Sequence, residues 1–117
     1  MCGLVQSTRV SDYEAMLRRI AVRDEAVVEL MRSDDANPQL DYRVCGLVRV
    51  AALIAAGGAE PSYRWAVDVA RLGGATPDEI VAVLVAVAPT VGVDRSVAAA
   101  ANLGMALGYD VEAALDN

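Results

Sequence analysis

The apolar segments of this chain are separated by residues that start and stop helices. Ser11–Glu14, "SDYE", is a capping-box pattern, in which a hydroxyl and a carboxylate three residues apart satisfy free amides of a first turn. It predicts a helix running to about Arg32, with Met16, Ile20, Val27, Leu30 and Met31 among its apolar positions. Arg18, Arg19, Arg23, Asp24, Glu25 and Glu29 are expected on its solvated face. "SDDANP", Ser33 to Pro38, predicts a loop. A second helix is expected from a cap at Asp41 to the glycine pair Gly57–Gly58, with Arg49 the one charge between Val44 and Ala56.

A third helix is predicted from near Ser62 to Leu72, stopped by Gly73–Gly74. The fourth opens on "TPDE", with Thr76 as cap, Pro77 in the first turn and Glu79 completing a box. Its body, "IVAVLVAVA", is apolar on every side. Periodicity alone does not separate a buried strand from a buried helix there, and the box with its proline decides for helix. Such a helix is expected to be enclosed on all faces, with Pro89 ending or kinking it. A fifth helix is expected from about Asp94 to Leu107, before Gly108, and a short last turn from Val111 to Leu115 after Asp110. These elements describe an all-α bundle of five to six helices. No linker or repeat divides the chain, so residues 1–117 are expected to form a single domain.

Composition then narrows the chemistry. Hydrophobic residues make up 56% of the 117, yet aromatics only 4%, and Phe is absent. A core of Val, Ala, Leu and Ile contributes little burial per side chain, and oligomerisation is the expected remedy. All ten basic residues are arginine, with neither His nor Lys. That removes an imidazole base, a Ser-His or Cys-His nucleophile pair, and any lysine that forms a Schiff base or carries a cofactor. No cofactor is expected, and no metal site, because Cys2 and Cys45 stand far apart without imidazole partners. The net charge of −6 argues against nucleic acid.

The uncharged runs Ile80–Val93 and Ser96–Tyr109 have fourteen residues each, short of a membrane span. The opening "MCGLVQSTRVSDYE" lacks the basic start and long apolar run of a secretion signal. Cys2 and Cys45 form no disulfide framework, and the expected location is the cytoplasm.

The order of these pieces resembles the carboxymuconolactone decarboxylase and alkylhydroperoxidase D-like family. "LDYR" at Leu40–Arg43 matches the opening of the family's core, "RWAV" at Arg64–Val67 its active helix, and "GATPDEI" at Gly74–Ile80 the turn that follows. The likeness spans roughly Leu40 to Leu107. It implies an alkylhydroperoxidase D-like helical fold completed by self-association into a homotrimer or homohexamer.

The resemblance also implies a Cys-x-x-Cys-x-x-x-His motif, whose positions fall here on Ala59, Ser62 and Ala66. The acidic residue common on the preceding helix falls on Gly46. In a dithiol mechanism one thiolate attacks and a second cysteine resolves the intermediate. With these four residues in place that reaction is excluded.

Several residues remain as candidates. Ser62 is a nucleophile without a base and is better read as a helix cap. Cys45 is either a one-cysteine peroxidatic thiol at a helix start or a small buried hydrophobe, and the second reading is preferred. Arg49 offers a planar donor fork for a carboxylate, or pairs with Asp68 or Glu79, or lies along an exposed edge. Tyr63 stands about one turn from Ala59 and Ala66, with its hydroxyl able to face a pocket. Trp65, Val69 and Leu72 form an i, i+4, i+7 stripe read as core, and Arg64 with Asp68 reads as a surface pair. Tyr42 and Arg43, beside Asp41, are placed to rim a cavity.

The four changes at Gly46, Ala59, Ser62 and Ala66 all shrink a side chain relative to the family. Voids cost about 24 cal/mol per Å³, so Tyr63, Tyr42 or Arg49 fills the volume or a cavity remains between the second and third helices. The cavity is the expectation. It leads to a small-molecule binder or non-redox enzyme acting on an acidic metabolite. The alternatives are a catalytically silent oligomeric accessory or regulatory protein and, less favoured, a one-cysteine peroxidase.

Overall fold

The computed structural model describes the backbone of residues 2–33 and 39–116, and side chains from residue 12 onward. The described residues form seven helices and no strand: α1 Cys2–Ala21, α2 Glu25–Arg32, α3 Tyr42–Ala56, α4 Glu60–Leu72, α5 Pro77–Val91, α6 Val93–Ala106 and α7 Val111–Asp116. They fall into two compact units, Met1–Asp35 and Ala36–Asn117. None of the described helices is long and apolar enough to cross a membrane. Residues 34–38 of the expected loop, and the side chain of Cys2, lie outside the described residues.

In the first unit the expected single helix from Ser11 to Arg32 is two helices, and Ser11 lies inside α1 instead of opening it. The break is a local stop signal. Arg23 adopts a left-handed φ of 58°, Arg23 N–H donates to the Ile20 carbonyl, and Asp24 N–H donates to that of Arg19. This is the Schellman pattern without its usual glycine. Asp24 then caps α2, its carboxylate accepting from Val27 N–H at 3.2 Å. Val27 is buried, whereas Met16, Ile20, Leu30 and Met31 are exposed.

The second unit follows its punctuation closely. Asp41 caps α3 through Val44 N–H at 2.9 Å, and Gly57 ends it at φ 76°. Thr76 and Glu79 close both halves of the capping box on α5. Pro89 does not end α5, which continues to Val91 and stops at Gly92, φ 100°. The helix α6 begins at Val93, and Asp110 caps the last turn through Ala113 N–H at 3.0 Å.

One correction concerns α4. It begins at Glu60, Ala59 occupies the cap position without a side-chain bond, and Ser62 is the third helical residue and no cap. Pro61 in the first turn tolerates the missing N–H there and pre-sets its own backbone for helix.

The core is small-residue packing among α3, α4, α5 and α6, built on Val50, Ile54, Tyr63, Ala66, Val67, Ala70, Ile80, Ala99 and Leu103. The α4 stripe that faces it is therefore Tyr63, Ala66, Val67 and Ala70. Trp65 is 41% exposed and Leu72 76%, which overturns the reading of Trp65, Val69 and Leu72 as core. Periodicity supports both stripes, and helix seating chooses between them. On α5, Ile80 is buried while Val81 and Val85 are exposed, so within one chain that helix is not enclosed on all faces.

Candidate functional site

Gly46, Ala59, Ser62 and Ala66 lie along the antiparallel pair α3 and α4 or at its α4 cap, and glycine sets how close the two helices come. A Cβ added at Gly46 would overlap the backbone of Ala70, and one at Gly73 would overlap the backbone of Arg43. Gly46 is thus a contact point between helix axes, with no volume for an acidic side chain. Ala66 is fully buried, and Tyr63 is 1% exposed. Burial raises the Tyr63 phenol pKa above its ordinary value of 10.0, because the phenolate would lose its water.

Ala59 and Ser62 are exposed at the entrance of α4. The four positions therefore separate into two kinds. Gly46 and Ala66 are absorbed by packing, while Ala59 and Ser62 face solvent on a helix start.

The arginines expected near a ligand already have protein partners. Arg43 pairs with Glu79, which also serves the α5 capping box, so one carboxylate joins the starts of α3 and α5. Arg49 pairs with neither Asp68 nor Glu79; its guanidinium carbon stacks 4.3 Å from the Trp65 ring centroid. Arg64 pairs with Glu60, and the expected partner Asp68 is displaced by this pair in the previous turn. Tyr42 is exposed. Cys45 is buried, and its thiol donates to the Leu40 carbonyl at 3.4 Å.

Sequence reasoning missed the Arg43–Glu79 link, which spans 36 positions and has no local signal. It also missed Arg95, which donates to the Ala55 carbonyl and so ties the start of α6 to the last turn of α3. Among the described residues no group of three or more His, Cys, Asp or Glu is arranged to hold a metal ion.

A family model, described as the Carboxymuconolactone decarboxylase family, matches residues 23–103, most of the chain. The chain belongs to the carboxymuconolactone decarboxylase family. The match begins before Leu40, so it takes in α2 as well as the bundle from α3 through most of α6. No curated relative and no solved structure matches the chain. Family membership accounts for the all-helical architecture. This carboxymuconolactone decarboxylase family chain carries Ala59 at the cap of α4 and Ser62 and Ala66 within it, and Cys45 is buried on α3.

Proposed function

We propose that this chain is a carboxymuconolactone decarboxylase-like protein without dithiol redox activity, working as a non-catalytic, self-associating subunit in the cytoplasm. The observation that carries the reading is the seating of α4 on α3. Gly46 meets Ala70 backbone where an acid would stand, and Ala66 and Tyr63 are sealed into the core. A dithiol relay needs two thiols within reach of one another and a base to receive a proton. Ala59, Ser62 and Ala66 supply none of these, and the chain has no histidine to replace one.

Self-association is supported by α5. From Ile80 to Val93 no residue is charged, yet Val81, Ala82, Val85, Ala86 and Pro89 face outward. An apolar helix face of this kind is stabilised by a partner surface. The family resemblance suggests a homotrimer or homohexamer.

A second reading, binding of a small acidic metabolite, keeps one specific observation in its favour. Arg49 has no carboxylate partner among the described residues, and its stacked guanidinium retains donors for one. Tyr42, Tyr63 and Arg43 contribute less, being exposed, buried and already paired respectively. The one-cysteine peroxidase is the weakest reading, because Cys45 is buried against the Leu40 carbonyl.

The deciding experiment is hydroperoxide consumption coupled to a thiol reductant, together with mass analysis of any small molecule that purifies with the protein. Turnover is expected at background, with no co-purifying carboxylate. Turnover abolished by Cys45→Ser would establish the peroxidase instead. A bound acid released by Arg49→Met would establish the ligand reading.

A further inference from the structure

The α3–α4 pair carries a second unpartnered surface, different in kind from the valine face of α5. Gly73 brings the end of α4 against Tyr42 and Arg43 at the start of α3. Two turns along, Arg49 lies over Trp65. Tyr42 and Arg49 on α3, like Trp65 and Leu72 on α4, stand seven residues apart and so share a face of their helix, with Tyr42 47% and Leu72 76% exposed. Tryptophan, tyrosine and arginine are the side chains that dominate binding energy at protein interfaces. The cation on this surface has no acidic partner among the described residues, in a chain whose net charge is −6. The occupant it fits is therefore apolar and acidic.

The same unit displays such a segment. In α7, Leu115 is 80% exposed, with Glu112 and Asp116 three residues before and one after it. This helix is pinned to α6: a Cβ on Gly104 would come within 2.8 Å of Val111 Cγ2 and 2.9 Å of the Tyr109 carbonyl. Its tertiary contacts are with α6, and Leu115 stays exposed in its own chain. The α3–α4 surface is thus not covered by its own α7.

We propose that α7 of a second copy docks on the α3–α4 surface, Leu115 against Trp65 and Leu72, with Asp116 or Glu112 facing Arg49. Such a contact joins two different surfaces and is heterologous, so repeating it closes a ring if the rotation permits. The proposal rests on the self-association proposed above, and it names a contact separate from α5.

The test uses the full chain at micromolar concentration, with Cys2→Ser as background to remove a competing thiol. Chains carrying Leu115→Cys are mixed with chains carrying Leu72→Cys and mildly oxidised. Both positions are exposed, so neither change threatens the fold. The expected result is a mixed disulfide dimer as the main product, suppressed at least tenfold by Arg49→Glu and restored when Asp116→Arg and Glu112→Arg are added to the partner chain. An oligomer that persists by light scattering while the mixed disulfide forms no faster than between Leu115→Cys and Val85→Cys would overturn the α7 docking and leave self-association standing. A monomer would overturn both.

Discussion

At the scale of single residues, Gly46 and Tyr63 report how closely α3 and α4 pack. An exposed helical glycine is normally improved by alanine, by about 1 kcal/mol of helix propensity. At Gly46 the sign reverses, because the added methyl meets the Ala70 backbone and no flexible side chain can yield. Gly46→Ala is expected to destabilise the protein by about 1–3 kcal/mol, the range of overpacked cores, as read from the denaturant midpoint. A neutral or stabilising result would mean that α3 and α4 sit farther apart.

Tyr63 gives an independent reading of the same packing. Its pKa is raised by burial, so its contribution to stability is complete below the unfolded value of 10 and is lost as pH rises through the higher folded value. In an ultraviolet titration the Tyr63 phenol should ionise above its ordinary value, together with alkaline unfolding. Tyr63→Phe should remove that late step.

At the scale of elements, the junction between α1 and α2 depends on one carboxylate. The Arg19 side chain, and then the Val27 amide, hold the Asp24 pKa below its ordinary 3.8. A depressed acid stabilises the fold above its unfolded pKa, and that stabilisation is lost as pH falls through the folded value. The Val27 amide resonance is therefore expected to move with Asp24 protonation at a midpoint below 3.8, and Asp24→Ala should abolish the movement.

This junction also marks where sequence reading stopped. Stop and start signals carried by Asp41, Gly57, Thr76, Glu79 and Gly108 are local, and they place α3 and the start of α5 to within a residue and the end of α6 nearly so. The break at Arg23 has no glycine to announce it, and Ser11 imitates a start within a helix. On α4, both candidate stripes have helical spacing. Only the approach of Gly46 to Ala70, made by tertiary packing, selects Tyr63, Ala66, Val67 and Ala70 over Trp65, Val69 and Leu72. Gly46, Ala59, Ser62 and Ala66 can be singled out from the sequence, whereas their separation into packed and exposed pairs follows from tertiary packing.

At the scale of the whole molecule, α5 presents an apolar face that its own chain leaves uncovered. Val85 is 75% exposed on a face with Val81 and Pro89, while α6 exposes Val93 and Val97 from the other side of the Gly92 turn. Each fully buried valine contributes about 1.5–3 kcal/mol relative to exposure, so covering this set favours association even after the loss of translational freedom. Two copies that meet through α5 bury a surface with no charge to misalign. A single carboxylate there would have to be desolvated without a partner, which costs several kcal/mol. Sedimentation of the unmodified protein at micromolar concentration is expected to give three or six times the chain mass of 12.2 kDa. Val85→Asp should lower that mass while leaving helical circular dichroism intact, because the substituted side chain is mostly outside the monomer core. If the unmodified chain sediments as a stable monomer, the outward valines of α5 are simply tolerated by the folded chain, and the self-associating subunit is the wrong description of this protein.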